Sequence, residues 1–171
     1  PLIGRDGEIA SLNAALEHAL DSGARVAIVS GESGIGKSRL VQEFAATPQA
    51  EGMRMLFAWC HATEQSLPFR PWIDALRGGE SSLHPDLVRH LSANARAQLA
   101  RVFHELAGGG FPAGADEHGP LFEAMREVVE SLAIDQPTMI VLEDLHWADA
   151  MSARLLAFLA RRLARLPVLF V

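Results

Sequence analysis

Residues 31–38 read Gly31-Glu32-Ser33-Gly34-Ile35-Gly36-Lys37-Ser38, and they meet the pattern G-x-x-x-x-G-K-[ST] at every fixed position. Each residue type follows from the work of holding phosphate. Glycines let backbone N–H groups turn inward and approach an anion with no Cβ in the way. A helix beginning at Gly36 adds its positive dipole end to the same anion. Lys37 can reach the β- and γ-phosphates as a compact cation, and Ser38 can offer its hydroxyl to Mg²⁺. The flanks supply the context. Before the loop, Arg25 to Ser30 carries the apolar run Val26-Ala27-Ile28-Val29, as a buried parallel strand would. After it, Lys37 to Ala46 reads as a helix with Leu40, Val41 and Phe44 facing inward. A chance glycine-rich turn bearing Lys-Ser is the competing reading, and the strand and helix on either side weigh against it.

Working outward, Asp6 to Leu20 spaces Ile9, Leu12, Leu16 and Leu20 as an amphipathic helix capped by Asp6 and ended by Asp21-Ser22-Gly23. Met53 to Trp59 predicts a second strand. Residues 61–135 read as a mostly helical insertion, with segments at Pro71 to Leu76, Asp86 to Leu91, Ala95 to Ala107 and Gly119 to Ile134. Gly108-Gly109-Gly110-Phe111-Pro112 is its clearest flexible joint. Thr138 to Leu142 predicts a third strand, Ala150 to Leu163 a helix with Asp149 as N-cap, and Leu166 to Val171 a fourth strand. That last run is apolar without alternation, so it is expected at the centre of the sheet. Alternating strands and helices imply a three-layer α/β domain over residues 1–171, with a parallel sheet covered on both faces.

The third strand ends in Glu143-Asp144. All strands of a parallel sheet present their C-terminal ends on one edge, so Asp144 and Gly34 can meet there. Two adjacent carboxylates permit a division of labour: Glu143 holding Mg²⁺, through water, and Asp144 orienting or deprotonating an attacking water. A solvated acidic turn is the plainer alternative, and the complete phosphate loop favours the metal reading.

Composition bounds the rest. Fifteen Lys and Arg against 21 Asp and Glu give a net charge of −6, which argues against nucleic-acid binding by this stretch alone. The single cysteine, Cys60, excludes an intramolecular disulfide and fits a reducing compartment. No apolar run reaches the length of a membrane span, so the chain is expected to be cytoplasmic.

Together, Ile3-Gly4-Arg5-Asp6, the cradle GESGIGKSRL (Gly31 to Leu40) and VLEDLHWAD (Val141 to Asp149) resemble the AAA-like ATPase module of the STAND class. The likeness is to the large ATP-binding regulators of the LuxR type and to modules beside some bacterial cyclases and kinases. Leu67-Pro68-Phe69-Arg70-Pro71-Trp72 also resembles that module's stretch after the second strand. The resemblance implies a P-loop NTPase fold with sheet order 5-1-4-3-2, its fifth strand and a sensor residue lying beyond Val171. It places Ile3, Gly4 and Arg5 near the base or ribose. Gly31 to Arg39 become the nucleotide cradle, Ser38 and Glu143 the metal side, and Glu143 with Asp144 the Walker B acids. Glu143 stands where the family more commonly has Asp. The function implied is a Mg-ATP-dependent regulatory switch that hydrolyses slowly, signals to an attached output domain and self-associates with nucleotide. A dedicated ATPase or kinase, or a module that binds without hydrolysis, are the alternatives, and ATP against GTP stays open. A domain lacking the fifth strand and the sensor is expected to turn over little ATP on its own.

Other residues draw plainer expectations. His146 and Trp147 read as a packed aromatic pair and Cys60 as a small buried residue. His84, His90, His104 and His118 lack metal-ligand spacing. Arg154, Arg161, Arg162 and Arg165 read as a solvated basic face.

Overall fold

The third strand fixes the architecture, because its side chains are claimed by two different cores. The computed structural model describes residues 4–77, 90–108 and 118–171. Met139 and Val141 of β3 (Thr138–Glu143) enter one buried cluster with Leu12, Leu16, Leu40 and Phe44. Ile140 and Leu142 enter another with Trp72, Val128, Leu155 and Leu159. Successive strand side chains point to opposite faces, so this unbroken apolar run has a helical layer on each side. At roughly 25 cal/mol per Å², each such side chain contributes about 1.5–3 kcal/mol on burial.

Four parallel strands make one sheet, in the order β1-β4-β3-β2. They are β1 (Arg25–Val26), β2 (Arg54–Trp59), β3 and β4 (Val168–Phe170). This is the order expected for the four strands. Val168, Leu169 and Phe170 are buried, as a central strand requires. One face carries α1 (Asp6–Ser22) and α2 (Lys37–Ala45). Between β2 and β3 the chain forms α3 (Arg70–Arg77), α4 (Ala93–Gly108) and α5 (His118–Asp135), and α6 (Ala150–Arg162) follows β3. Residues of α3 through α6 form the core on the opposite face. Phe69, with φ +64°, is fully buried against the rings of Phe122 and His118. Trp72 Nε1 donates to Ser152 O at 3.1 Å, locking α3 to α6. Among the described residues no helix is long and apolar enough to cross a membrane.

Two expectations need correction. The residue capping α1 is Arg5, not Asp6, and no side chain makes the capping bond. Asp6 is already helical, so its carboxylate serves the dipole of the first turn instead. The first strand is also shorter and less covered than its apolar run suggests. Pairing with β4 stops after Ala27 N–H donates to Phe170 O at 2.8 Å. Ala27 and Val29 pack toward α1 and α2, whereas Val26 is 42% and Ile28 78% exposed. An apolar run marks where a strand belongs; covering it takes neighbours on both sides, and among the described strands β1 stands at the edge. The segment Asp86 to Leu91 and the joint Gly108 to Pro112 fall largely outside the described residues, as do Ile3 and His84.

Candidate functional site

The loop between β1 and α2 takes its shape from glycine. Gly34 and Gly36 have φ of +79° and +93°, a region closed to most L-residues. Gly36 caps α2, and Leu40 N–H returns to its carbonyl at 2.9 Å. Lys37 and Ser38 therefore open the helix, where unpaired N–H groups gather and anions are favoured. Lys37 Nζ folds back to donate to Gly31 O at 3.0 Å and Glu32 O at 2.9 Å. A cation so placed spans the loop.

The tip of β3 meets this helix start. Ser38 Oγ donates to Glu143 Oε2 at 2.7 Å across 105 residues of sequence. Cys60 N–H donates to Glu143 O at 3.0 Å, so the end of β2 steadies the same residue. A hydroxyl beside a carboxylate is an oxygen donor pair suited to a hard cation such as Mg²⁺, and the extra methylene of Glu143 does not keep it from Ser38. Asp144 is exposed with φ +55°, a conformation that Asp tolerates better than most residues. It shares a cavity of about 510 Å³ with Ser33 and Lys37, walled by Val26, Ile28 and Phe170. That volume lies in the range of small-ligand sites.

The segment after β3 is held by its own capping. Asp149 Oδ1 accepts from Met151 N–H and Ser152 N–H, both at 2.9 Å, and Oδ2 accepts from Ser152 Oγ at 2.5 Å. This is the N-cap expected of Asp149. The rings of His146 and Trp147 lie 4.9 Å apart, though both residues are exposed.

The remaining cradle residues are spread around the loop. Glu32, Ser33 and Ile35 are exposed along it, and Arg39 turns along α2 toward Glu43 at 3.8 Å. Gly4, with φ +74°, and Arg5 precede α1. Arg5 Nη2 donates to Ile35 O at 3.1 Å, a link that no spacing rule announces, since 30 residues separate the partners. Arg154, Arg161 and Arg165 are exposed on or just beyond α6, and Arg162 lies over the Phe158 ring at 5.5 Å.

Cys60 is buried beside the site. Burial pushes its thiol from an ordinary value near 9 up to about 11, with Asp149 and Asp144 adding to the effect. The folded state thus holds this proton more tightly than the unfolded chain does. The stability it confers is complete below pH 9 and is lost as pH rises through 9 toward 11. By pH 10 the loss should be about 1 kcal/mol. Urea unfolding of wild type and Cys60→Ala at pH 8 and pH 10 checks this; parallel losses in the two proteins would assign the alkaline slope to other groups.

Comparison with known proteins agrees with this geometry. The model of the AAA ATPase domain family matches residues 1–171. An uncharacterized protein of Rhizobium meliloti (strain 1021) is 26% identical over 191 aligned positions. The alignment takes in 100% of this chain and 18% of that relative, so the chain spans less than a fifth of its length. No solved structure matches.

Proposed function

The chain belongs to the AAA ATPase domain family, and on that premise we propose that it is a Mg-ATP-dependent regulatory switch with slow hydrolysis. The 2.7 Å contact between Ser38 and Glu143 carries the proposal. It brings the helix-opening hydroxyl and the strand-tip carboxylate to one point beside the phosphate loop. A solvated acidic turn has no need of that partner.

In this reading Gly31 to Arg39 form the cradle. Lys37 exchanges the carbonyls of Gly31 and Glu32 for the β- and γ-phosphates. Ser38 and Glu143 hold Mg²⁺, whose charge offsets that of the phosphates. Asp144, exposed and lining the same cavity, orients the attacking water and accepts its proton. Arg5 meets the loop at the Ile35 carbonyl, and Gly4 precedes it with φ +74°. The likeness to LuxR-type regulators suggests an output domain elsewhere in a longer protein, and the much greater length of the Rhizobium relative is in keeping with one. Among the described strands β1 pairs with β4 alone, which leaves its other edge for a further strand, as the sheet order of that class implies.

Binding and turnover separate in two variants. Glu143→Gln should raise the Mg²⁺ needed for ATP binding about tenfold, because the amide keeps the shape and loses the charge. Asp144→Asn should leave binding nearly intact and slow phosphate release roughly tenfold, below the usual range for a lost general base because the reaction is slow. Asparagine also tolerates the left-handed backbone at this position. Titration calorimetry and steady-state phosphate release read the two effects. Opposite behaviour would exchange the roles of the acids, and no effect in either would leave them a solvated turn.

A further inference from the structure

Ile35 sits between two left-handed glycines, so neither neighbour constrains the direction of its carbonyl as an ordinary residue would. In a trans peptide the C=O of one residue and the N–H of the next point in opposite directions, and the described chain has no cis peptide. Whatever holds the Ile35 carbonyl therefore also sets the direction of the N–H of Gly36, the N-cap of α2.

Arg5 is the holder. Its Nη2 donates to Ile35 O at 3.1 Å, and its Nη1 donates to Glu8 Oε1 at 2.6 Å. Glu8 lies in the first turn of α1, and its carboxyl is held below the usual range by the Arg5 hydrogen bond. A guanidinium suits this task because its donors lie in a fixed plane, so bracing one arm sets the other.

We infer that Arg5, braced by Glu8, is a positioning residue of the phosphate cradle, fixing the Ile35–Gly36 peptide and with it the direction of the Gly36 N–H. The inference rests on the proposal that nucleotide phosphates sit at this loop. It gives Arg5 a role on the loop's backbone in place of the base or ribose.

Two ligands distinguish these roles: Mg-ATP, and inorganic tripolyphosphate with Mg²⁺, which has neither base nor ribose. Arg5→Met should weaken both by the same factor, about tenfold for a lost charge-assisted hydrogen bond. Arg5→Lys should recover only part, since one ammonium cannot make both bonds in that geometry. Glu8→Gln should weaken both ligands less, and should add nothing in the Arg5→Met background. If Arg5→Met proves too unstable to assay, Arg5→Lys and Glu8→Gln carry the same comparison.

Loss confined to ATP, or a wild type that binds ATP but no tripolyphosphate, would return Arg5 to the base and ribose and overturn the inference. So would unchanged affinities, including a lower melting temperature without a change in either affinity. A wild type that binds neither ligand would instead remove the nucleotide reading of the loop, and this inference with it.

Discussion

Alanine in place of Lys37 is expected to weaken Mg-ATP binding about a hundredfold while leaving the fold intact. The ammonium is the loop's own cation, within 3.0 Å of the carbonyls of Gly31 and Glu32. Arg39 is committed along the helix toward Glu43 and Arg5 to Glu8 and Ile35, so neither replaces it without leaving its partners. A charge-assisted hydrogen bond is worth about 1.5–3 kcal/mol, and contact with two phosphates puts the loss near the upper end. The fold should be spared because the bonds removed are solvent-exposed and water can take over at both carbonyls. Calorimetric titration with Mg-ATP, alongside a thermal melt, reads both quantities. Wild-type affinity in the variant would end the assignment of this loop as a phosphate site.

Gly23→Ala should cost about 3 kcal/mol of stability, for reasons remote from the loop. Gly23 ends α1 with φ +94° and ψ −177°, a region essentially reserved for glycine and costing other residues about 1–3 kcal/mol. A Cβ there would also lie 2.0 Å from Ala164 O and 2.8 Å from Arg165 Cα. Those are backbone atoms of the turn between α6 and β4, so the chain must move rather than a side chain rotate, at a further cost of about 1–3 kcal/mol. Gly52 is the natural control, since its φ is +88° but nothing lies within 4 Å of an added Cβ. Gly52→Ala should cost about 1 kcal/mol from backbone strain alone. Chemical denaturation of the two variants measures the difference. Equal losses would mean the turn yields freely, and packing at Gly23 would then contribute nothing.

The loop and the sheet were the legible parts of this chain, for different reasons. A phosphate loop compresses its requirements into eight consecutive residues, so the pattern and its flanking strand and helix can be read locally. That the acidic pair Glu143-Asp144 would lie on the loop's edge of the sheet followed from parallel-sheet geometry, which lets Asp144 and Gly34 meet there. The direct partner of Glu143, Ser38, is set by a side-chain length and a helix position that only coordinates supply. The order of the strands was legible through resemblance, and the burial of β4 from its unalternating apolar run. What escaped depends on neighbours distant in sequence. Ile28 looks like a core residue and is exposed because, among the described residues, neither core cluster reaches its side chain. Arg5 meets Ile35 only once α1 has packed beside α2. Asp6 has the chemistry of a cap, yet the helix begins one residue too early for it to serve as one.

The pairing of β1 with β4 also sets a schedule for the nascent chain. Arg25 finds its partner in Leu169, so the strand that leads into the loop leaves the ribosome long before the strand that holds it. At about 5–20 residues per second, that interval is on the order of ten seconds. During it, Val26 and Ile28 have no described strand beside them, and a contact so distant in sequence is slow to form because a long loop must close first. The phosphate loop is thus translated well before the strand that anchors it in the sheet. This stretch of chain has to be kept from unwanted pairing before it has a place in the finished domain.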